Sequence, residues 1–203
     1  MFTGIVTTTA PIVAIEERDH LRTLVVALED RERENLEIGA SVANNGVCLT
    51  VTKLEDNKVF FDVMEETLRR TNLEYVQVGS RVNIERSLVF GKEVGGHMVS
   101  GHVHARGTLT ELEKSDTNCR MRITLEPRWM KYILHKGFVA VNGCSLTVGE
   151  VYEDGFSLYL IPETLSITNL GQADVGTVFN IEIDSQTQTI VDTVERVLAA
   201  RGQ

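Results

Sequence analysis

The sequence predicts an all-β protein of two like halves closed by one C-terminal helix, on three observations. One phrase occurs twice: Asn45-Gly46-Val47-Cys48-Leu49-Thr50-Val51 returns as Asn142-Gly143-Cys144-Ser145-Leu146-Thr147-Val148, a shift of 142 − 45 = 97 residues. Short β-rich runs alternate with polar turns in both halves, the pattern of an antiparallel sandwich or small barrel. The tail, residues 184–203, has no counterpart after the first half and reads as an amphipathic helix.

One register holds along the whole repeat. It carries Glu66-Thr67-Leu68 onto Glu163-Thr164-Leu165, Thr71-Asn72-Leu73 onto Thr168-Asn169-Leu170, and Asn83-Ile84-Glu85 onto Asn180-Ile181-Glu182. Backwards, it carries Gly4 and Val6 onto Gly101 and Val103. A period near 100 residues marks a duplicated domain, because solenoid repeats run about 20–50 residues. The expected units are 1–97, 98–184 and the tail 185–203, joined through the glycine-rich stretch Ser87 to Gly96.

In chain order, Leu21 to Leu28 is β-rich, and Ser41-Val42-Ala43 leads to the turn dipeptide Asn45-Gly46. Strands are expected from Cys48 to Thr52, Val59 to Met64 and Arg81 to Glu85, with a helical turn from Glu66 to Arg70. The second half repeats the plan with His102 to Leu112, Arg120 to Leu125, Phe138 to Val141, Phe156 to Ile161 and Val178 to Ile183. Pro127 opens a short helix, a position where proline is tolerated. In the tail, Ser185-Gln186-Thr187-Gln188 fits a capping box. Ile190, Val191, Val194, Val197 and Leu198 form a stripe, with Asp192, Glu195 and Arg196 outside it. Such a helix either docks on its own domain or joins subunits; a duplicated monomer offers it no obvious groove.

A net charge of −9 argues against a nucleic-acid binder, which needs a basic face to displace counterions. Three cysteines make no disulfide framework, and Cys48 is answered by Ser145, so a reducing, cytoplasmic setting is expected. The start, Met1 to Val6, lacks the basic and apolar regions of a signal peptide, and no segment approaches a membrane span.

Several residues have bland readings. His97, His102 and His104 suggest a metal site, with His102 and His104 on one face of a strand, but no carboxylate or cysteine completes a ligand set, so no metal is expected. Gly91-Lys92 lacks the Ser or Thr of a phosphate loop. The cysteines suit buried small hydrophobes, and Glu66 and Glu163 suit helix starts. Yet Thr50/Thr147 and Glu66/Glu163 are polar residues kept in both halves, which a ligand gripped twice would explain. The titratable groups differ: Ile5 is answered by His102, Cys48 by Ser145, Ser87 by Asp184 and Gly39 by Lys136. A shared frame with unlike reactive groups predicts a reaction between two identical molecules.

The segments MFTGIV, NGVCLTV, GGHMVSGHV, NGCSLTV, IPETL and IEIDSQTQTIVDTVERVLAA resemble the riboflavin synthase family of two lumazine-binding domains, across essentially the whole chain. The resemblance implies two tandem pseudo-symmetric six-stranded Greek-key β-barrels and a homotrimer held by C-terminal helices. Its active site lies between the N-terminal barrel of one subunit and the C-terminal barrel of a neighbour. It implies the dismutation of two molecules of 6,7-dimethyl-8-ribityllumazine, without metal or organic cofactor. It leaves open an association with lumazine synthase; a non-catalytic lumazine or flavin carrier of the same fold is the alternative.

By position, the N-terminal pocket takes Cys48, Leu49, Thr50, Asp62, Val63, Met64, Glu65, Glu66, Thr67, Gly101, His102 and Val103. The C-terminal pocket takes Gly4, Ile5, Val6, Ser145, Leu146, Thr147, Tyr159, Leu160, Ile161, Pro162, Glu163 and Thr164, and Lys136 reaches a ligand across the subunit boundary. His102 suits the base, Ser145, Thr147 or Cys48 the group that activates the second substrate, and Asp184 an orienting or proton-accepting role.

Overall fold

The computed structural model describes residues 1–91, 93–115 and 117–201. Lys92 and the last two residues of the expected tail lie outside them. The first barrel is built from β1 (Thr8–Arg18), β2 (Leu21–Ala27), β3 (Ser41–Asn44), β4 (Val47–Glu55), β5 (Lys58–Met64) and β6 (Arg81–Arg86). The second uses β7 (Ala105–Lys114), β8 (Cys119–Thr124), β9 (Phe138–Val141), β10 (Cys144–Val151), β11 (Gly155–Leu160) and β12 (Val178–Ile183). Short helices α1 (Asp30–Arg33), α2 (Glu65–Arg70), α3 (Pro127–Met130) and α4 (Pro162–Ile167) connect strands. Each closes in the same cyclic order: β1-β2-β5-β4-β3-β6, matched by β7-β8-β11-β10-β9-β12. In each, the second strand pairs with the fifth and the third returns beside the sixth, a Greek key. Closure removes the exposed edges of an open sheet.

Period-two burial explains which side chains fill the barrels. On β4, Val47, Leu49 and Val51 are buried while Cys48 and Thr50 point outward. Phe61, Leu24 and Ile84 pack the first core; Phe156, Met121 and Phe179 pack the second.

β1 was not expected from the sequence. Pro11 interrupts its pattern, yet it is tolerated beside a register shift between Ile12 and Ala14. The strand expected from His102 begins only at Ala105, because residues 102–104 belong to a crossing arm; His102 and His104 therefore do not share a strand face. Asp184, not a Ser185 box, caps the tail helix α5 (Ser185–Arg201): its Oδ2 accepts from the Thr187 amide at 2.9 Å and hydroxyl at 2.7 Å.

The two barrels are locked by six asparagines in three repeat-related pairs: Asn45/Asn142, Asn72/Asn169 and Asn83/Asn180. Asn72 Nδ2 donates to Asn142 Oδ1 at 2.9 Å, and Asn169 Nδ2 to Asn45 Oδ1 at 2.8 Å. Asn180 Oδ1 accepts from the Asn72 amide at 2.6 Å, and Asn83 Oδ1 from the Asn169 amide at 2.7 Å. Asn83 Nδ2 reaches Asn142 O at 2.9 Å and Asn180 Nδ2 reaches Asn45 O at 2.8 Å. The two Asn-Gly turns meet back to back: a Cβ on Gly46 (φ +75°) would lie 2.5 Å from Gly143 N.

Asn72→Ala should lower the unfolding free energy by about 1–3 kcal/mol for each buried group left unpaired. Gly46→Ala should also destabilise the fold, whereas Asn118→Ala, on the surface, should change it by less than about 0.5 kcal/mol. Urea unfolding measures all three; equal midpoints for Asn72→Ala and Asn118→Ala would contradict the interface described.

Candidate active site

Two short arms cross between the barrels and bring site residues together. Glu85, on β6, accepts from the Thr3 amide at 2.6 Å, the Thr3 hydroxyl at 2.7 Å and the Gly4 amide at 3.0 Å. Glu182, on β12, accepts in the same way from the Ser100 amide and hydroxyl at 2.6 and 2.8 Å and the Gly101 amide at 2.9 Å. Burial pushes the Glu85 carboxyl upward, and the hydrogen bonds from Thr3 and Gly4 only partly offset it. Each arm then lies on the opposite barrel. Gly4 O accepts from the Ser145 amide at 2.8 Å, and Gly101 O from the Cys48 amide at 2.9 Å. Val6 enters the second core and Val103 packs against the first.

Both arm glycines are required. Gly4 has φ +73° and Gly101 φ +84°, and a Cβ on either would lie 2.5 Å from the Cβ of Ser145 or Cys48 respectively.

The outward faces of three adjacent strands form the floor of each site. Ser41 pairs with Thr50, and Val51 with Phe61, so the register carried one residue on sets Asp62 beside Thr50. The second barrel pairs Phe138 with Thr147, and Val148 with Leu158, which sets Tyr159 beside Thr147. One floor therefore reads Ser41, Thr50, Asp62, and the other Phe138, Thr147, Tyr159. Asp62 accepts from Thr23 Oγ1 at 2.6 Å. Tyr159 donates to Glu150 at 3.0 Å. The Ser157 hydroxyl, the Glu150 amide and Tyr159 hold that carboxyl at about 2.

Among the remaining sequence-selected residues, Leu49, Val63 and Leu160 are buried in the barrel cores, as Val6 is, so their backbones are what they offer a ligand. Leu146 packs partly against the second core. Met64 and Ile161 are exposed at the strand ends. They lead into the short helices α2 (Glu65–Arg70) and α4 (Pro162–Ile167), which carry Glu65, Glu66, Thr67, Pro162, Glu163 and Thr164. Glu65 bonds to His20 at 2.8 Å and Glu66 to Arg70 at 3.1 Å. Lys136 is exposed in a left-handed turn (φ 62°) where its twin is Gly39 (φ 90°). His102 and Ile5 stand on the arms, both exposed.

The structure also brings in residues that the sequence reading passed over. His97 is buried, stacks on Phe138 with centroids 5.1 Å apart, and its Nδ1 lies 2.7 Å from Ser145 Oγ. Phe138 was legible only as a strand residue, and His97 only as one of three metal candidates. Cys144 is an inert thiol, pushed up to about 12 by burial.

His104 is structural: Nδ1 accepts from the Ile183 amide at 3.2 Å, which leaves Nε2 to bond Gln188 Oε1 at 3.1 Å on α5. Burial lowers its pKa below 6.5, against the opposing field of Glu182 and the Gln188 bond, with His102 adding to the lowering. The unfolded chain therefore binds this proton more readily. The stability due to the neutral ring is complete above pH 6.5 and is lost as pH falls below it. Wild-type protein should lose stability relative to His104→Asn between pH 7 and 5 in urea unfolding; parallel curves would contradict a buried neutral imidazole.

The family model for the lumazine binding domain matches twice, at residues 3–87 and 100–184. Riboflavin synthase of Escherichia coli (strain K12) is 52% identical over 202 residues, covering 99% of this chain and 95% of that one. The enzyme of that name from Buchnera aphidicola subsp. Schizaphis graminum is 43% identical over 98% of this chain and 96% of its own. The crystal structure of LumP complexed with riboflavin superposes with a TM-score of 0.85 at 26% identity, covering 91% of this chain and all of that one, 100%.

Proposed function

We propose, since this chain belongs to the riboflavin synthase family, that it catalyses the dismutation of two molecules of 6,7-dimethyl-8-ribityllumazine. One gives up a four-carbon unit to the other, and the products are riboflavin and 5-amino-6-(ribitylamino)uracil. The 52% identity over 99% of the chain carries this reading. Both copies of the Leu-Thr-Val and Glu-Thr-Leu motifs are intact, which favours two occupied pockets over the single one of a carrier.

Each barrel face, with its crossed arm, holds one substrate. The glycine arms let backbone approach the flat ring, and the floor hydroxyls of Thr50 and Thr147 suit the ribityl chain. The C7 methyl of the lumazine is acidic because its anion delocalises into the ring. His102, on the arm beside Cys48, is the base for that proton. The other substrate is activated in the second pocket by Ser145 or Thr147; with the two roles exchanged, Cys48 would activate it in the first. Asp184 orients its surroundings through its charge while capping α5. Fixing the two rings in one relation supplies much of the acceleration, up to about 7–11 kcal/mol.

The two faces meet in a homotrimer, the N-terminal barrel of one subunit against the C-terminal barrel of the next, with Lys136 reaching across. The disposition of α5 supports this. Its polar side ties it to its own barrel, through Asp192 to Tyr132 and Glu195 to Lys131. The stripe of Ile190, Val194, Val197 and Leu198 is left exposed. An association with lumazine synthase would have to form on surface that this trimer leaves free.

Full-length protein given ribityllumazine alone should form one riboflavin per two substrates consumed, and a chain ending at Asp184 should sediment as a monomer and lose turnover. Tight ligand binding without product would favour a carrier. A truncated chain that stays trimeric would contradict the role of α5.

A further inference from the structure

The second pocket contains a side-chain pair that the first lacks. His97 Nδ1 stands 2.7 Å from Ser145 Oγ, within hydrogen-bond reach. Its ring lies nearly parallel to Phe138, 16° between planes, which sets its orientation. Its amide donates to Thr3 O at 3.1 Å, so the arm that grips Ser145 through Gly4 also fixes the backbone of His97. Gly96 makes this approach sterically feasible: a Cβ there would lie 2.3 Å from Thr3 O and 2.9 Å from Ser145 Oγ.

Around Cys48, the repeat-mate of Ser145, the surroundings differ. Among the described residues the Cys48 side chain makes no hydrogen bond, and Ser41 stands where Phe138 does. A hydroxyl held by a buried imidazole in one pocket and a bare thiol in the other is a functional asymmetry that the core does not need.

We propose that His97 is a positioning residue for Ser145: it fixes the rotamer of the hydroxyl and holds its proton at Nδ1, in the C-terminal pocket only. The inference rests on the placement of Ser145 at the substrate proposed above. Burial keeps the ring neutral near pH 7, lowering its pKa against the opposing field of Asp184, the charged group that faces it. A neutral ring protonated on Nε2 presents a lone pair at Nδ1, and the Ser145 O–H donates into it. The hydroxyl oxygen is then more electron-rich, with its proton turned toward the imidazole. Glu85, which holds the same arm, is engaged by the Thr3 and Gly4 amides.

The test is a double-mutant cycle read by single-turnover riboflavin formation at saturating substrate, beside the Kd for riboflavin and the thermal midpoint. Ser145→Ala and His97→Phe should each slow formation by about tenfold or more, a loss of about 1.4 kcal/mol of barrier lowering per tenfold. The double variant should be no slower than Ser145→Ala alone, within about twofold, with riboflavin Kd little changed. His97→Asn, which places an amide near the Nδ1 position, should regain part of the rate; if His97→Phe does not fold, His97→Asn takes its place in the cycle. A His97→Phe enzyme at the wild-type rate, losses that multiply in the double variant, or an Asn variant no better than Phe would overturn the inference. Ser145→Ala at the wild-type rate would overturn the placement of Ser145 itself, a distinct failure.

Discussion

The hydrogen-bonded knot of asparagines between the barrels is the constraint on which the rest depends. Asparagine suits it because one side chain both donates and accepts. Asn45 and Asn142 also adopt the left-handed backbone, φ 48° and 45°, that their turns demand. Each repeat supplies the same three residues, and each pair satisfies the other's buried amides. A network closed in this way tolerates little shift, because a displaced barrel would strand several buried polar groups at once. With the barrels fixed, each arm can reach the opposite one, and the glutamates Glu85 and Glu182 hold the arms at the residue before they cross. The pockets therefore inherit their geometry from the interface, not from the loops around them.

That symmetric frame gives the differences their meaning. Both pockets have a glycine arm, an outward threonine and a following short helix. Onto this, one places Cys48, Asp62 and the arm residue His102, and the other places Ser145, Tyr159 and the arm residue Ile5. A pair of identical molecules bound in such a frame meets unlike chemistry on each side. This is what a dismutation requires: one molecule must lose a proton while the other is activated.

Much of the fold was legible because duplication and alternation are written in local sequence. The outward Thr50 and Thr147 and the inward Leu49 and Leu146 follow from period two alone. Asn72 and Asn83 were visible as repeated residues, but their partners lie in the other half, and nothing local distinguishes a ligand contact from an interface contact. Glu66, kept in both halves, pairs with Arg70 in this structure, so retention of a polar residue in twin positions is not by itself evidence for a ligand. Pro11 concealed β1 because it sits at the end of that strand's pairing with β6, opposite Arg81, a partner far along the chain. His97 was missed for a related reason: it lies before the second copy of the motif, and only the fold returns it to Ser145.

The proposed reaction requires that one frame, used twice, hold two like ligands per chain. Equilibrium dialysis of the full-length protein with a non-reacting 8-ribityllumazine analogue tests it directly. Two analogue molecules bound per chain at saturation, falling to one when either Gly4 or Gly101 is replaced by valine, is the predicted result. One molecule per chain in the unsubstituted protein would contradict it.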